Sequence, residues 1–440
     1  MVVRIMKATI FWFRRDLRLR DNIASYHALN SGLPVLPIFI FDTNILEELA
    51  EDDARVSFIH NTLSAIHKQL QLKGTSLKVL TGEPVNVWVK LITEYQVAQV
   101  YFNKDYEPYA LARDSQVKSL LENKGIQVHA FKDQVLFEED EIVKDDGSPY
   151  TIFTPYKRKW LENLDPELTR PLLLPDYGKF LKSDFIFPSL REIGFRESSI
   201  KVKDYNLSQL EDYPRLRDLP GEDATSYLSP HLRFGTVSIR QVIQQLKPEH
   251  EVFLSELIWR EFFMQILWHF PEVVNNNFNS RYNGIEWRSN EREFELWCQG
   301  KTGYPMVDAG MRQLNLTGYM HNRVRMITAS FLCKHLLINW AWGEAWFAKK
   351  LLDYELSSNN GNWQWAAGTG CDAAPYFRIF NPTEQLKKLD RQLKYVRLWI
   401  PEYGTENYSK PMIEHGFARN RALEAYKKGL LTKSGKAKPY

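Results

Sequence analysis

The sequence predicts an α/β N-terminal domain, built on a doubly wound, Rossmann-like parallel sheet, followed by an all-α C-terminal domain. Apolar runs alternate with helical patterns in the first third of the chain, whereas only helical periodicity is evident from about residue 205 onward. Nine of the thirteen tryptophans fall between Trp259 and Trp365. Indole is a poor choice as simple core filler, so this excess indicates a site that handles aromatic rings, electrons, or both.

Five short apolar runs predict the strands of the first domain. Four are mainly apolar and the last alternates with polar residues: 10–13, 35–41, 77–80, 97–102 and 126–130. Helical patterns such as 54–72 and 110–124 separate them, as parallel strands require. The first strand leads into the Arg- and Asp-rich segment 14–22 rather than a glycine-rich turn, so a dinucleotide site is not expected there.

The predicted boundaries are an α/β domain over 7–131, a surface connector over 132–204, a helical domain over 205–425 and a basic tail over 426–440. Six prolines interrupt the connector, which includes a basic and aromatic cluster at 153–160. The segment 419–438 is rich in Lys and Arg and is interpreted as a solvated end. Helices of the second domain are predicted at 238–246, 253–270, 292–299, 304–317, 321–337 and 344–352.

Bulk composition excludes several classes of protein. The net charge is only +3, so any nucleic-acid contact requires a local basic patch. The three cysteines show no CxxC spacing, and the ten histidines form no HxxxH or HExxH pair, so we expect a reducing compartment and no metal. No apolar run reaches the roughly 18 residues of a membrane span, and the first residues do not resemble a signal peptide. These features predict a cytoplasmic protein.

The predicted helix 253–270 is apolar on nearly every face, yet it carries Glu256 and Arg260 one turn apart. These two residues could form an i,i+4 ion pair. Alternatively, the helix lines a cavity in which Trp259 is a stacking surface and Glu256 handles a proton or a hydrogen bond. The residues alone leave both interpretations open.

Two further segments have the same ambiguity. Asn322, Arg325 and Met326 share one face of the helix predicted from residue 321. Met326 suits a core as well as a pocket, whereas a buried Asn322 would need partners for its amide. The hydroxyl-rich segment 225–230 precedes a helix, where such side chains either cap the helix or bind phosphate.

Motifs spread over nearly the whole chain resemble those of the photolyase/cryptochrome family, and in particular of class I cyclobutane pyrimidine dimer photolyases. They are FRRDLR at 13–18, ELIWREF at 256–262, KTGYP at 301–305, MHNRVRM at 320–326, NNG at 359–361, WQW at 363–365 and YFRIFNP at 376–382. The resemblance implies an antenna domain followed by a helical domain that binds folded FAD. It also implies light-driven repair of dimers in UV-damaged DNA, in which excited reduced FAD transfers an electron to a dimer flipped out of the duplex.

The resemblance also implies roles for individual residues. The dimer pocket would comprise Glu256, Trp259, Asn322, Met326 and Trp365, with Glu256 bonding to the dimer. FAD would contact Tyr213, Thr225, Ser226, Leu228, Ser229, Arg260, Arg325, Asp353, Glu355 and Asn359, with Asn359 facing flavin N5. A relay that carries electrons from the surface would run through Trp363, Trp340 and Trp287. Lys157, Arg217, Arg323 and Arg378 would grip DNA phosphates around the lesion.

The identity of a second, antenna chromophore stays open, because the segment 106–110 lacks the Asn-Glu pair of folate-binding members. Folate, a deazaflavin, another flavin and no antenna all remain. Three residues depart from the family pattern: Glu355 stands where we expect Asp, Phe253 where some members have Trp, and Tyr319 where Trp is common. A monomer is expected.

Three other functions within the family were weighed. A cryptochrome photoreceptor is disfavoured by Glu256, Met326 and Asn359 together. A photolyase restricted to single-stranded DNA is not separable by sequence. A (6-4) photoproduct enzyme is disfavoured because His321-Asn322 stands where that chemistry requires a histidine-rich pocket.

Overall fold

The computed structural model describes residues 7–172 and 176–432. Within that part, the chain divides into two compact units. The first contains the residues up to Glu138 together with Asn163–Tyr205 and Tyr227–Lys247, and the second contains Glu139–Glu162, Asn206–Ser226 and the residues from Pro248 onward. The division into 7–131, 132–204, 205–425 and 426–440 stays a prediction, since both 132–204 and 205–425 contribute to each unit. Residues 433–440 of the predicted tail lie outside the described residues.

The first unit contains a five-stranded sheet whose strands alternate with helices. Its elements are β1 Lys7–Phe13, α1 Ile23–Leu29, β2 Val35–Asp42, α2 Thr43–Leu46, α3 Ala54–Gln71, β3 Lys78–Gly82, α4 Pro84–Glu94, β4 Gln96–Asn103, α5 Pro108–Glu122 and β5 Gln127–Phe131, with the later helices α8 Leu228–Arg233 and α9 Ile239–Gln244. All five predicted strands are confirmed, with bounds that differ by a few residues. Continuous apolar runs identified the inner strands because β1 and β2 are buried on both faces.

All strand pairs in this sheet are parallel, and the strand order is β3-β2-β1-β4-β5. The order reverses direction between β1 and β4, which is where open α/β sheets usually offer a crevice at the carboxyl ends of their strands. The predicted parallel, doubly wound sheet is confirmed.

Buried charges fill the carboxyl edge of this sheet. The carboxylate of Asp133 pairs with Arg18 at 2.5 Å and with Arg240 at 2.8 Å, and all three side chains are at most 7% exposed. Asn103, at the end of β4, donates to Asp16 at 2.6 Å. The Arg- and Asp-rich segment 14–22 is therefore part of a structural network in this unit.

The same crevice leaves little room for a ligand. The cavity lined by Arg14, Arg15, Asp105 and their neighbours encloses about 170 Å³ of empty space. Pockets for small molecules and cofactors typically have about 300–1,000 Å³. This cavity is therefore smaller than a typical cofactor pocket.

The second unit is helical over the residues described. Its helices are α6 Phe153–Glu162, α7 Tyr213–Leu216, α10 Glu251–His269, α11 Glu291–Cys298, α12 Pro305–Thr317, α13 Asn322–Ser330, α14 Trp340–Lys350, α15 Leu356–Ala367, α16 Pro382–Leu389, α17 Lys394–Trp399 and α18 His415–Thr432. The all-α prediction for the C-terminal domain is confirmed. No described helix is both long and apolar enough to cross a membrane.

Two predicted segments of this unit differ from the structure. A single helix was predicted at 321–337. The structure instead contains α13 followed by a π-helical turn, Phe331–His335, in which all five successive side chains are buried. The prediction of a solvated end from residue 419 onward is wrong for the first part of that segment. It belongs to α18, where the ring of Tyr426 is fully buried and its hydroxyl donates to the carbonyl of Ala367 at 2.6 Å.

The buried network predicts a large and pH-dependent effect of Asp133→Asn. Burial opposes ionisation, but Arg18 and Arg240 outweigh it and lower the pKa of Asp133 below 3.8. Neutralising the carboxylate leaves two buried guanidinium groups poorly compensated, so we expect the free energy of unfolding at pH 7 to fall by about 3 kcal/mol. A carboxylate whose pKa is lower in the folded than in the unfolded chain stabilises the fold at pH values above its unfolded pKa. The difference in unfolding free energy between wild type and variant should therefore narrow as pH falls below 3.8.

Urea unfolding of wild type and variant across pH measures this difference. Asp52→Asn is the matched control, because Asp52 pairs with Arg196 on the exposed surface and such pairs contribute little. Equal stability of Asp133→Asn and Asp52→Asn at neutral pH would contradict the assigned role.

Candidate functional site

Helix α15 carries the most polar and indole-rich motif of the chain and holds three of the predicted site residues. Asn359 is 9% exposed, Trp363 is buried and Trp365 is half-buried. The amide nitrogen of Asn359 donates to the side chain of Glu344 at 2.7 Å and to its carbonyl at 3.1 Å. Because the amide nitrogen (Nδ2) of Asn359 faces Glu344, the amide oxygen faces away from Glu344. Glu344 was not predicted, because nothing in its sequence spacing connects it to Asn359.

The other polar residues of this motif have a structural role. Asn360 donates to the carbonyl of Val273 at 3.1 Å, and Gln364 donates to the same carbonyl at 2.9 Å. Gln364 also accepts from the backbone of Phe278 at 2.8 Å. Two amides one turn apart therefore hold the loop that follows α10 against one face of α15.

A glycine lets α15 approach α10 closely. A Cβ atom at Gly361 would overlap the ring of Phe263, which lies one turn beyond Trp259 on α10. Since only glycine lacks that atom, the NNG motif has a steric reason at its third residue.

Glu256 lies at one end of a row of alternating charges. Its carboxylate pairs with Arg217 at 2.7 Å, Arg217 lies 4.0 Å from Asp218, and Asp218 pairs with Arg323 at 2.6 Å. A guanidinium nitrogen of Arg323 is 3.5 Å from the sulfur of Met326. The row joins α7, α10 and α13 and brings together predicted pocket residues and predicted DNA-binding residues. Asp218, its central acid, was not predicted.

The i,i+4 ion pair considered for Glu256 and Arg260 is not the arrangement observed. Arg260 instead bonds Glu355, at the start of α15, at 3.3 Å, and both side chains are at most 12% exposed. A similar pair joins Arg325 on α13 to Asp353 at 2.9 Å. Helical spacing permits the local pair, but partners from other segments reach the same groups in the folded chain.

Two titratable side chains beside this row, one phenol and one imidazole, have pKa values shifted so that their neutral forms are favoured. Burial, assisted by the carboxylate of Glu256, raises the pKa of Tyr213 to about 12. Burial also lowers the pKa of His321 to about 4, so its Nδ1 accepts from the backbone of Arg323 at 3.2 Å and caps α13. Both side chains therefore stay uncharged at neutral pH.

One face of Trp259 is already covered. Its ring stacks on Phe153 of α6 with centroids 3.6 Å apart and planes 7° from parallel. Phe153 is fixed in turn by a hydrogen bond from its backbone to Asp372 at 3.1 Å. Phe262 meets the ring edge-on and Phe263 lies close to parallel with it, both with centroids 5.5 Å away, so any further ring must use the surface of Trp259 that these three rings leave. Phe153 belongs to the cluster noted at 153–160, but its contact with Trp259 was not predicted.

The predicted relay tryptophans belong to one hydrophobic core. Trp363 and Trp340 are buried in it and Trp287 packs against it. The indole nitrogen of Trp340 donates to Asn277 at 2.9 Å. Trp297, which was not singled out, is fully buried beside Trp363 with centroids 6.1 Å apart. Seven of the nine clustered tryptophans are in or against this core, so indole is a major packing material of the unit.

The remaining predicted residues are more scattered. Asn322 is exposed at the start of α13, so the buried amide considered from the sequence is not what the fold presents. Tyr213, Thr225 and Ser226 are half-buried in the second unit, whereas Leu228 and Ser229 begin α8 in the first unit. Two of the residues that depart from the family pattern are buried aromatics: Phe253 meets the ring of Tyr213 edge-on at 5.2 Å, and Tyr319 is 8% exposed.

The four predicted phosphate-binding cations differ in their present partners. Lys157 pairs with the exposed Glu251 at 3.0 Å, while Arg217 and Arg323 belong to the charged row. Arg378 is exposed and lies 5.9 Å from the ring centroid of Phe380. Three of these four cations therefore already bind carboxylates of the protein itself.

Comparison with known families identifies the class. Residues 253–406 match the family model described as the FAD binding domain of DNA photolyase, and residues 9–173 match the model described as DNA photolyase. Curated relatives named deoxyribodipyrimidine photo-lyase include those of Agrobacterium fabrum, 37% identical over 95% of this chain and 97% of the relative, and Escherichia coli, 35% identical over 96% and 98%. The chain belongs to the DNA photolyase family, which confirms the resemblance drawn from its motifs.

Solved structures agree with this assignment. A class III photolyase from Agrobacterium tumefaciens superposes with a TM-score of 0.85 at 36% identity, over 96% of this chain and 98% of the other. An archaeal photolyase from Sulfolobus tokodaii, whose structure contains two FAD molecules, gives 0.85 at 34% identity, over 96% and 99%. A cryptochrome from Synechocystis also gives 0.85, at 25% identity. The FAD-binding domain predicted for the C-terminal half is confirmed.

The packing of Trp363 predicts that Gly343→Ala is destabilising. A Cβ atom at Gly343 on α14 would overlap the indole of Trp363. Alanine normally stabilises a helix relative to glycine, but this overlap should instead lower the free energy of unfolding by about 1–3 kcal/mol. Thermal or urea unfolding, with tryptophan fluorescence as the probe, measures the change.

Gly416→Ala on α18 is the control. An added Cβ there meets only the flexible side chain of Glu414, so no loss of stability is expected. A neutral or stabilising Gly343→Ala would show that Trp363 has freedom to move, against the packing described.

Proposed function

We propose that the protein is a deoxyribodipyrimidine photo-lyase that repairs cyclobutane pyrimidine dimers in DNA by light-driven electron transfer. The observation that carries this proposal is the charged row from Glu256 through Arg217 and Asp218 to Arg323. It sets a carboxylate suited to the lesion beside cations suited to the phosphates around it. The identities with curated photo-lyases, extending over nearly the whole chain, support the same activity.

The residues around α15 fit the FAD that the family model implies. The buried carboxylates Asp353 and Glu355 each pair with an arginine, so charge is balanced near the predicted flavin side. The hydroxyl of Ser357 is buried and has no hydrogen-bond partner among the described residues, which suits a polar ligand atom. When bound and reduced, FAD excited by light supplies the electron that opens the cyclobutane ring.

Asn359 would present an acceptor to that cofactor. Glu344 takes the amide nitrogen, so the Oδ1 atom is the group left to meet a protonated flavin N5. Burial raises the pKa of Glu344, so its carboxyl group is more readily protonated, and therefore neutral, than that of an exposed glutamate. We propose Glu344 as the residue that fixes the orientation of the Asn359 amide.

Glu256 would serve the lesion. Its carboxylate is about a quarter exposed and is held by Arg217, so it is ordered yet reachable from solvent. A flipped dimer could donate an N–H to it, and Trp259, backed by Phe153, would limit the position of the pyrimidine rings. Trp365 and Met326, both half-buried, would complete the pocket.

DNA binding would proceed by exchange of partners. Phosphates would compete with Glu251 for Lys157 and with Asp218 for Arg323, while the exposed Arg378 has no such competition in the described salt bridges. Binding should therefore depend steeply on salt. As the sequence predicts, we propose a monomer that acts in the cytoplasm.

A cryptochrome photoreceptor is the second candidate, favoured by the fold similarity to the Synechocystis protein. One experiment separates the two. The purified protein is loaded with FAD, reduced, mixed with UV-irradiated DNA and illuminated, and dimers are counted before and after. Light-dependent loss of dimers is expected, and its absence from a protein that binds FAD would favour the photoreceptor. Parallel assays on single-stranded and duplex DNA determine the preferred substrate form.

The role of Glu256 predicts that Glu256→Ala lowers the repair yield per absorbed photon while FAD stays bound. Loss of a hydrogen bond to a charged group should reduce the yield about threefold or more. Repair of irradiated oligonucleotides under saturating DNA, with flavin absorbance recorded alongside, measures both quantities. Glu291→Ala, at an exposed site on α11, is the control. An unchanged yield would remove Glu256 from the mechanism.

The relay predicts a division of effects for Trp340→Phe. Photoreduction of oxidised FAD should slow steeply because the middle indole is missing, whereas repair by chemically reduced enzyme should persist. Transient absorption follows the first process and dimer loss follows the second. Equal impairment of both would mean that Trp340 acts through packing, as its burial in the core allows.

A further inference from the structure

A buried lysine closes the C-terminal end of α15. Lys334, in the π-helical turn Phe331–His335, is 1% exposed. Its ammonium donates to the carbonyl of Ala367, the last residue of α15, at 2.7 Å and to the carbonyl of Tyr376 at 3.3 Å. It also lies 3.7 Å from the centroid of the Tyr426 ring. The charge is therefore held by carbonyl oxygens and an aromatic face.

This environment is unusual for a lysine. Among the described residues, the salt bridges include none between Lys334 and a carboxylate, although buried ammonium groups are costly unless paired. The last carbonyls of a helix lack donors from within it and carry partial negative charge. The ammonium compensates that charge. A glutamine could satisfy the same carbonyls without the desolvation cost, so the retained charge indicates an electrostatic task.

We propose that Lys334 is a positioning residue whose charge fixes the end of α15, the helix that carries Asn359, Trp363 and Trp365. This inference rests on the proposed function, in which those three residues serve FAD and electron transfer. Neutralising the ammonium leaves an amine that still donates hydrogen bonds but no longer compensates the helix dipole. The end of α15 then opens more often, and the three side chains lose their fixed spacing.

The pKa of Lys334 lies near neutral pH, and burial shifts the pKa values of neighbouring titratable groups away from it. Burial lowers the pKa of Lys334 to about 7. Burial raises the pKa of the Cys333 thiol to about 12 and raises that of Tyr426 well above its usual range. Burial lowers the pKa of His335 to about 3 and lowers that of its partner His415 below 6.5.

Three other groups near the turn complete this set. Arg421 donates to the carbonyl of His335 at 2.5 Å, and Arg288 donates to the carbonyl of Leu336 at 2.9 Å. Both guanidinium groups stay charged throughout. Burial raises the pKa of Tyr282, which meets the ring of Tyr426.

Hydrogen exchange at the end of α15 tests the proposal without relying on activity. Amides 366–370 are compared in wild type, Lys334→Gln and Tyr426→Phe, at pH values about one unit below and above 7, after correction for the intrinsic rate. Wild-type protection should be higher on the acidic side. In Lys334→Gln it should be about tenfold lower there and independent of pH. Tyr426→Phe removes the other donor to the same carbonyl but keeps the charge, so its pH dependence should persist.

The outcomes separate this inference from the proposed function. Lys334→Gln with wild-type protection and pH dependence overturns the positioning role, even if the wild type repairs dimers. A wild type that binds no FAD and repairs nothing overturns the proposed function, whatever the exchange data show. Lys334→Met provides a second neutral variant if Lys334→Gln does not fold. In FAD-loaded wild type, the rate of photoreduction should change around pH 7. This pH dependence should be absent from both Lys334 variants and present in Tyr426→Phe.

Discussion

The contact between α10 and α15 is the constraint on which the rest of the site depends. The backbone of α15 at Gly361 meets the ring of Phe263, and no larger residue would permit that distance. Because α15 lies so close, Glu355 at its start reaches Arg260 on α10. Further along, amides on another face of α15 reach the carbonyl of Val273 in the loop after α10. The absence of a Cβ atom at Gly361 therefore determines which side chains of the two helices come into contact.

Charged side chains in the two networks described above are committed to partners within the protein. The network around Asp133 stabilises the first unit, and the row from Glu256 to Arg323 orders the second. Such pairs keep long side chains in fixed positions, so a ligand meets ordered groups at low entropic cost. In the proposed DNA complex, phosphate would have to displace a carboxylate from such a pair, which would lower affinity but keep the geometry definite.

The sequence predicted the elements better than their partners. Strands 10–13 and 35–41 were recognisable because parallel strands buried on both faces are continuously apolar. Partners were harder, because a helix surface offers several reachable groups and only the fold selects one. Arg260 could have paired with Glu256, yet Glu355 lies 95 residues away in sequence and takes it. Glu344, Asp218 and Lys334 were missed for a similar reason, since their contacts with Asn359, with Arg323 and with the end of α15 form only in the folded chain.

The clustered indoles pack the core, and the proposed electron relay would use the same residues. Trp363 and Trp340 are buried core members, and Gly343 is needed to seat one of them. A rigid core fixes the distance and angle between rings, which electron transfer between them requires. Some buried indole N–H groups have protein partners, as Trp340 does at Asn277 and Trp297 at Thr328, whereas that of Trp346 has none among the described residues. Stability and a defined path for electrons would then be consequences of the same close packing.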